Sequence, residues 1–240
     1  MNNDYSILDV SSAINECQFA EFKTTVESGA LDVNMKDDES GLTALKLVLS
    51  NANKKLDVAQ KIKWIKLLAS LGADLNDESG SALLRTVMNN EDTEIIKCLV
   101  EQGANLHEKF NNNGLSLLHI AAQLGNIESI KCLVSLGIDV NERNNNFGYT
   151  PICCAIEGGQ IGSVQCLAKL GADVNARING GYTPIFLATA ANNVEGLKCL
   201  KALGADLNAK TDDGRTALSV GIKVGDAPEA VEWLKNNGVK

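Results

Sequence analysis

One stretch constrains this chain more than any other: LGADVNARINGGYTP at 170–184 returns, in altered form, at a fixed interval. Related segments begin at Leu136 (LGIDVNERNNNFGYTP), Leu203 (LGADLNAKTDDGRTA), Gln102 (QGANLHEKFNNNGLSL) and Leu71 (LGADLNDESGSAL). Gly72, Gly103, Gly137, Gly171, Gly204 and Gly238 are 31, 34, 34, 33 and 34 residues apart. Gly114, Gly148, Gly181 and Gly214 step by 34, 33 and 33. Such a period specifies a repeat array, in which each unit buries its apolar face only against its neighbours. The 240 residues then hold about seven units, not one large globule.

The composition agrees with thin layers. Apolar residues make up 45% of the chain and aromatic residues only 4%, so the core is built from Leu, Ile, Val, Ala and Cys. A net charge of −8 repels phosphate backbones and anionic lipid, so neither nucleic acid nor a membrane is expected as a partner. No apolar run approaches the roughly 18 residues a spanning helix needs. The start, MNNDYSILDVSS, lacks the basic and apolar regions of a secretory signal. Of seven cysteines, Cys98, Cys132, Cys166 and Cys199 share one repeat position inside apolar segments. They read as small buried hydrophobes, not as metal ligands. Cys153 and Cys154 have no C-x-x-C partner. Free thiols of this kind place the chain in the cytosol, with the nucleus as the other reducing compartment.

Within one unit the local signals agree. Thr183-Pro184 opens a helix, with Thr at the cap and Pro at the first helical position. That helix runs through Ile185, Leu187 and Ala188, and Asn192-Asn193 turns the chain. A second helix carries Val194, Leu197, Cys199, Leu200 and Leu203, and Gly204 ends it. An extended finger with the turn Asp212-Asp213-Gly214 leads to the next unit. The same helix start recurs at Thr43-Ala44, Ser116-Leu117, Thr150-Pro151 and Thr216-Ala217.

These residues resemble the ankyrin-repeat family. Its G-x-T-P-L-H-x-A-A pattern is closest at Gly114–Ala122, and its G-A-D-V-N pattern is met at Gly171–Asn175. The resemblance implies an all-α fold: an α-solenoid of about seven repeats, each a helix-turn-helix with a β-hairpin finger. The repeats fall at about 1–37, 38–76, 77–107, 108–141, 142–175, 176–208 and 209–240, as a single domain capped at both ends. In the irregular first repeat, 6–15 and 19–28 read as helices. The second has an insertion near 53–59, and the third a finger shortened to 77–80.

The sequence offers little for catalysis. His119 stands at the family's T-P-L-H histidine, which ties neighbouring loops, and His107 replaces a finger-base Asn; no triad spacing exists. Gly158-Gly159-Gln160-Ile161-Gly162 falls at a helix–helix turn with no Lys-Ser/Thr after it, unlike a phosphate loop. Neither a catalytic residue, a metal nor a cofactor is expected. The family resemblance implies a non-catalytic module, a monomer that holds a partner protein on its concave side with finger tips and first helices. A regulatory or scaffold subunit that inhibits or positions an enzyme, such as a host-directed bacterial effector, is the alternative. Carried over by position, the contact set is Phe110, Leu115, Arg143, Phe147, Tyr149, Glu157, Arg177, Ile178, Tyr182 and Arg215. Four of the eight Phe and Tyr residues lie on these fingers. They serve either as anchors for a partner or as stiffeners of the array. The Asn-rich segments 111–113 and 144–146 suggest only a coding bias.

Overall fold

The computed structural model describes residues 7–36, 42–50, 56–77, 81–90 and 92–239. It divides into two compact units, 1–106 and 107–240. Among the described residues the regular structure is helical, and no strand forms.

The first unit holds α1 (Ile7–Asn15), α2 (Phe19–Glu27), α3 (Ala44–Val48), α4 (Val58–Ser70), α5 (Ala82–Met88) and α6 (Thr93–Glu101). Ser6, expected to open the first helix, lies outside the described residues, as do 53–55 of the insertion and 78–80 of the shortened finger. The insertion ends where Asp57 and Gln60 form a reciprocal cap on α4. Trp64, like Phe22 and Phe186, departs from the small-residue core. It is fully buried, stacked on Phe19 at 4.5 Å and edge-on to Phe22 at 5.2 Å.

The second unit holds α7 (Leu117–Leu124), α8 (Ile127–Ser135), α9 (Pro151–Glu157), α10 (Ile161–Lys169), α11 (Pro184–Ala190), α12 (Val194–Ala202), α13 (Ala217–Val224) and α14 (Pro228–Asn236). The first helices of the pairs stack as α7, α9, α11 and α13, and the second helices as α8, α10, α12 and α14. Between the layers, Ile130, Leu133, Val164, Leu167, Leu197 and Leu200 are fully buried. Each such side chain contributes about 1.5–3 kcal/mol. Cys132, Cys166 and Cys199 lie beside them, 5%, 8% and 9% exposed, as small core residues. Burial pushes the thiols of Cys166 and Cys199 up, which keeps them protonated.

Helix ends follow from residue chemistry. After α10 the chain turns left-handed at Gly171 (φ +97°). There Ala172 N–H reaches Leu167 O at 2.9 Å and Gly171 N–H reaches Ala168 O at 3.1 Å, which satisfies two orphan carbonyls. At the starts, Ser116 and Thr216 make capping boxes with His119 and Ser219. Thr183 takes the expected N-cap position without the usual side-chain bond. Its hydroxyl caps nothing, because its own carbonyl already accepts from Phe186 N–H at 2.9 Å. Thr150 repeats this, its carbonyl accepting from Cys153 N–H at 2.9 Å. In both, Pro at the first helical position fixes the start instead. The glycine-rich segment at 158–162 forms the turn between α9 and α10 at 158–160 and then enters α10. A Cβ on Gly158 would lie 2.4 Å from Gln123 O, so glycine lets α9 end close against α7.

Candidate functional site

The expected β-hairpin fingers appear in reduced form. In the second unit backbone bonds close the base of each, a reciprocal pair at Phe110 and Leu115 (Leu115 N–H also donates to Phe110 O, 3.0 Å) and a single bond at each of the others. Phe110 N–H donates to Leu115 O (2.7 Å) and Asn144 N–H to Tyr149 O (2.9 Å). Ile178 N–H donates to Tyr182 O (2.8 Å) and Thr211 N–H to Arg215 O (2.9 Å). The tips between them are too short to add a second rung, so only isolated bridges form, at Phe110–Leu115 and Lys210–Thr216.

Three sets of periodic bonds hold these fingers in a row. At the tips, backbone bonds run from Asn145 to Asn113 (2.9 Å), from Asn179 to Phe147 (3.0 Å) and from Asp212 to Gly180 (2.9 Å). On the flank, Arg143 Nη1 donates to Arg177 O at 2.7 Å, and Arg177 Nη1 donates to Lys210 O at 3.0 Å. At the base, Asn141 Oδ1 accepts from Asp173 N–H, and Asn175 Oδ1 from Asp206 N–H, each at 2.8 Å. Fixing a finger costs about 1–2 kcal/mol of backbone entropy per residue, and these bonds offset that cost before any partner arrives.

The histidine is part of the same frame. His119 is fully buried. Ser116 N–H donates to Nδ1 at 3.3 Å, so Nε2 carries the proton and donates to Tyr149 O at 2.9 Å. The Ser116 hydroxyl donates to Glu142, whose other oxygen accepts from Lys109 Nζ at 2.7 Å. Burial pushes the imidazole's pKa down, below its ordinary 6.5. Both ring nitrogens are engaged in holding one helix start to the next finger.

The candidate contact residues divide by what they touch. Phe147 is 54% exposed, with its ring 5.8 Å from that of Tyr149. Tyr149 is half-buried, and its phenol donates to Glu157, which is exposed, at 2.9 Å. Burial first, and then Glu157, push that phenol's pKa up. Phe110 and Leu115 face each other across their bridge, both half-buried. Tyr182 packs edge-on against Phe186 at 5.4 Å and accepts from Arg215 Nη2 at 2.9 Å. Arg215 Nε donates to Asp213 at 2.9 Å, and Arg177 Nη2 donates to Asp212 at 2.8 Å. Ile178 departs from the expected exposed set. It is 7% exposed, because its backbone closes the finger base and turns the side chain inward. The structure therefore brings Arg143, Phe147, Tyr149, Glu157, Arg177, Tyr182 and Arg215 onto the solvent side of consecutive fingers and first helices.

The Asn-rich segments at 111–113 and 144–146, which as sequence suggest only a coding bias, take part in the frame. Asn146 Nδ2 donates to Asn113 Oδ1 at 3.1 Å, and Asn179 Nδ2 to Asn146 O at 3.0 Å. Asn144, 7% exposed, accepts from Tyr149 N–H at 2.9 Å. The signal was present, since Asn113, Asn146 and Asn179 are each 33 residues apart. Among the described residues no group of His, Cys, Asp or Glu is placed to hold a metal, and no helix is long and apolar enough to cross a membrane.

The comparisons with known proteins bear on the same segments. A family model for ankyrin repeats in three copies matches residues 58–144 and 83–178, and a single ankyrin-repeat model matches 180–212. An ankyrin repeat protein of Rickettsia bellii is 32% identical over 86 residues, which is 36% of this chain and 10% of that protein. The chain thus aligns with about a tenth of that relative's length. With the periodic glycines, paired helices and tied fingers now matched to family models over more than half its length, the chain belongs to the ankyrin-repeat family.

Proposed function

We propose that this protein is a non-catalytic interaction module that holds a partner protein on the fingers and first helices of residues 107–240. Ankyrin repeats generally mediate protein–protein interaction. The observation that carries the reading for this chain is the contrast at the fingers. Their backbone is tied at tip, flank and base, yet Phe147, a large apolar ring, stays 54% exposed on them. A rigid frame that presents an aromatic side chain loses little entropy on binding. The contact set is Phe147 and Tyr149 with Arg143, Glu157, Arg177, Tyr182 and Arg215, and Phe110 and Leu115 on the neighbouring finger. A standard interface of roughly 1,600 Å² needs about three to five repeats of this surface. The reading includes one domain of about seven repeats over 1–240, acting as a monomer inside the cell.

Affinity purification from the native cell followed by mass spectrometry tests it, with wild-type protein and the Phe147→Ala, Tyr149→Ala variant side by side. A partner retained by wild type and lost by the variant supports the reading. A partner retained equally by both moves the contact surface elsewhere. An enzymatic turnover that survives removal of every copurifying protein would replace the reading.

A further inference from the structure

Arg143 and Arg177 occupy the same place on successive fingers. Each sends Nη1 to the carbonyl of its counterpart on the next finger, Arg177 O and Lys210 O. Each lies against the glycine two residues before the following helix-start Thr. A Cβ on Gly148 would lie 3.3 Å from Arg143 Nη1, and one on Gly181 would lie 2.4 Å from Arg177 Nη2. The residue that faces the guanidinium from the next finger is also equivalent: Asn179 for Arg143 and Asp212 for Arg177. Both stand four residues before a helix-start Thr. Both donate their N–H to the preceding finger tip, to Phe147 O and Gly180 O. Both also crowd the same two glycines, Asn179 Oδ1 at 3.2 Å and Asp212 Oδ1 at 2.4 Å from the added Cβ.

The chemistry differs at that one position. Arg177 is paired with the Asp212 carboxylate at 2.8 Å. Arg143 meets a neutral amide there instead. Among the described residues its bonds run from Nη1 to Arg177 O at 2.7 Å and Gly148 O at 3.5 Å, and no carboxylate pairs with it. The side chain is exposed, and among the described residues neither its Nε nor its Nη2 makes a hydrogen bond. Nη1 on two backbone carbonyls fixes the plane of the guanidinium, so the Nε–Nη2 edge is held ready for a bidentate acceptor. Beside it stands Phe147, the neighbour of Gly148 and 54% exposed.

We propose that Arg143 and Phe147 form a subsite for a partner segment in which a carboxylate is followed closely by an apolar side chain. The carboxylate approaches from solvent and accepts from the Nε–Nη2 edge of Arg143, as Asp212 accepts from Arg177 Nη2, and the apolar side chain covers the Phe147 ring. This rests on the interaction surface proposed above and names the chemistry of its occupant. The chain's own Arg177–Asp212 pair is the template for the contact. The choice of Asn179 over an acid is what leaves the Arg143 charge without an internal carboxylate.

A randomised peptide library displayed on phage, selected on the full chain, tests this. Enriched peptides are expected to carry Asp or Glu within two positions of a large apolar residue. Arg143→Gln should weaken the best peptide about tenfold, and changing the peptide's acid to its amide should weaken it by a similar factor. Asn179→Asp is the sharper test, because it supplies an internal carboxylate to Arg143 in a geometry the chain already uses at Asp212. It should weaken the peptide as Arg143→Gln does while leaving the helical circular dichroism unchanged. Peptides sensitive to Phe147→Ala but indifferent to both of these changes keep the surface and overturn the carboxylate subsite. Peptides indifferent to all three variants, or the absence of any enriched peptide, overturn both.

Discussion

Arg215 donates from Nη2 to the phenol oxygen of Tyr182, 2.9 Å away and one repeat earlier in the chain. The bond joins the last finger to the one before it, with the guanidinium carbon also 5.8 Å from the Tyr182 ring centre. A double-mutant cycle of Tyr182→Phe and Arg215→Ala is expected to give a small, non-additive loss in the urea midpoint, held low because the pair is partly open to solvent. Additive effects on the urea midpoint would mean that this contact does not tie the fingers.

The same guanidinium acts on Asp213. Its hydrogen bond, with help from the Thr211 hydroxyl, pulls the Asp213 carboxyl from 3.8 down to about 2. A carboxyl lowered in the folded state favours folding above its unfolded value and loses that contribution as pH falls through the folded one, here between about pH 4 and pH 2. Arg215→Ala should return the Asp213 titration, followed by carboxyl-carbon NMR, towards 3.8. A titration that stays near 2 would assign the shift to Thr211 alone.

His119 gives a pH dependence of its own. Burial lowers its folded pKa below 6.5, so as pH falls through that value the unfolded chain takes up the proton first. The contribution of neutral His119 is complete above 6.5 and declines below it. The urea midpoint should therefore drop between about pH 7.5 and pH 5, and drop less in His119→Gln. Parallel pH profiles for the two proteins would contradict the bonded, neutral imidazole.

Gly158 tests the close approach of α9 to α7. Its φ is −72°, an ordinary value for any residue, so conformational strain plays no part. The obstacle is the Gln123 carbonyl, 2.4 Å from where a Cβ would sit. Gly158→Ala should destabilise by about 1–3 kcal/mol, since backbone must move. An unchanged thermal midpoint would show that the two helix ends are loosely packed.

The fold was legible because its signals are backbone demands repeated at one period. Gly171 and its equivalents end helices, and Ser116 and Thr216 start them, wherever they recur. The finger surface was legible only in part. Of the residues that sequence position put on the fingers, Arg143 and Phe147 are exposed and Tyr149 is half-buried, but Ile178 turns inward because of a finger-closing bond that no single residue announces. Thr183 was read as a cap from its type, whereas the competing Thr183 O to Phe186 N–H bond is visible only in three dimensions. The asparagine ladder through Asn113, Asn146 and Asn179 was hidden by a different cause. Its period matched the glycines, but asparagine is common enough in these loops that the regular ones did not stand out.

The proposed binding of a partner protein by the fingers of residues 107–240 turns most on Phe147 and Tyr149, whose rings form none of the finger-to-finger bonds. The most direct measurement is the affinity of a recovered partner for wild type and for Phe147→Ala, Tyr149→Ala by isothermal calorimetry, with helical content checked alongside. A loss of more than ~2 kcal/mol in binding, about thirtyfold, with unchanged helical content, is the expected result. Equal affinity for the two proteins would contradict the account.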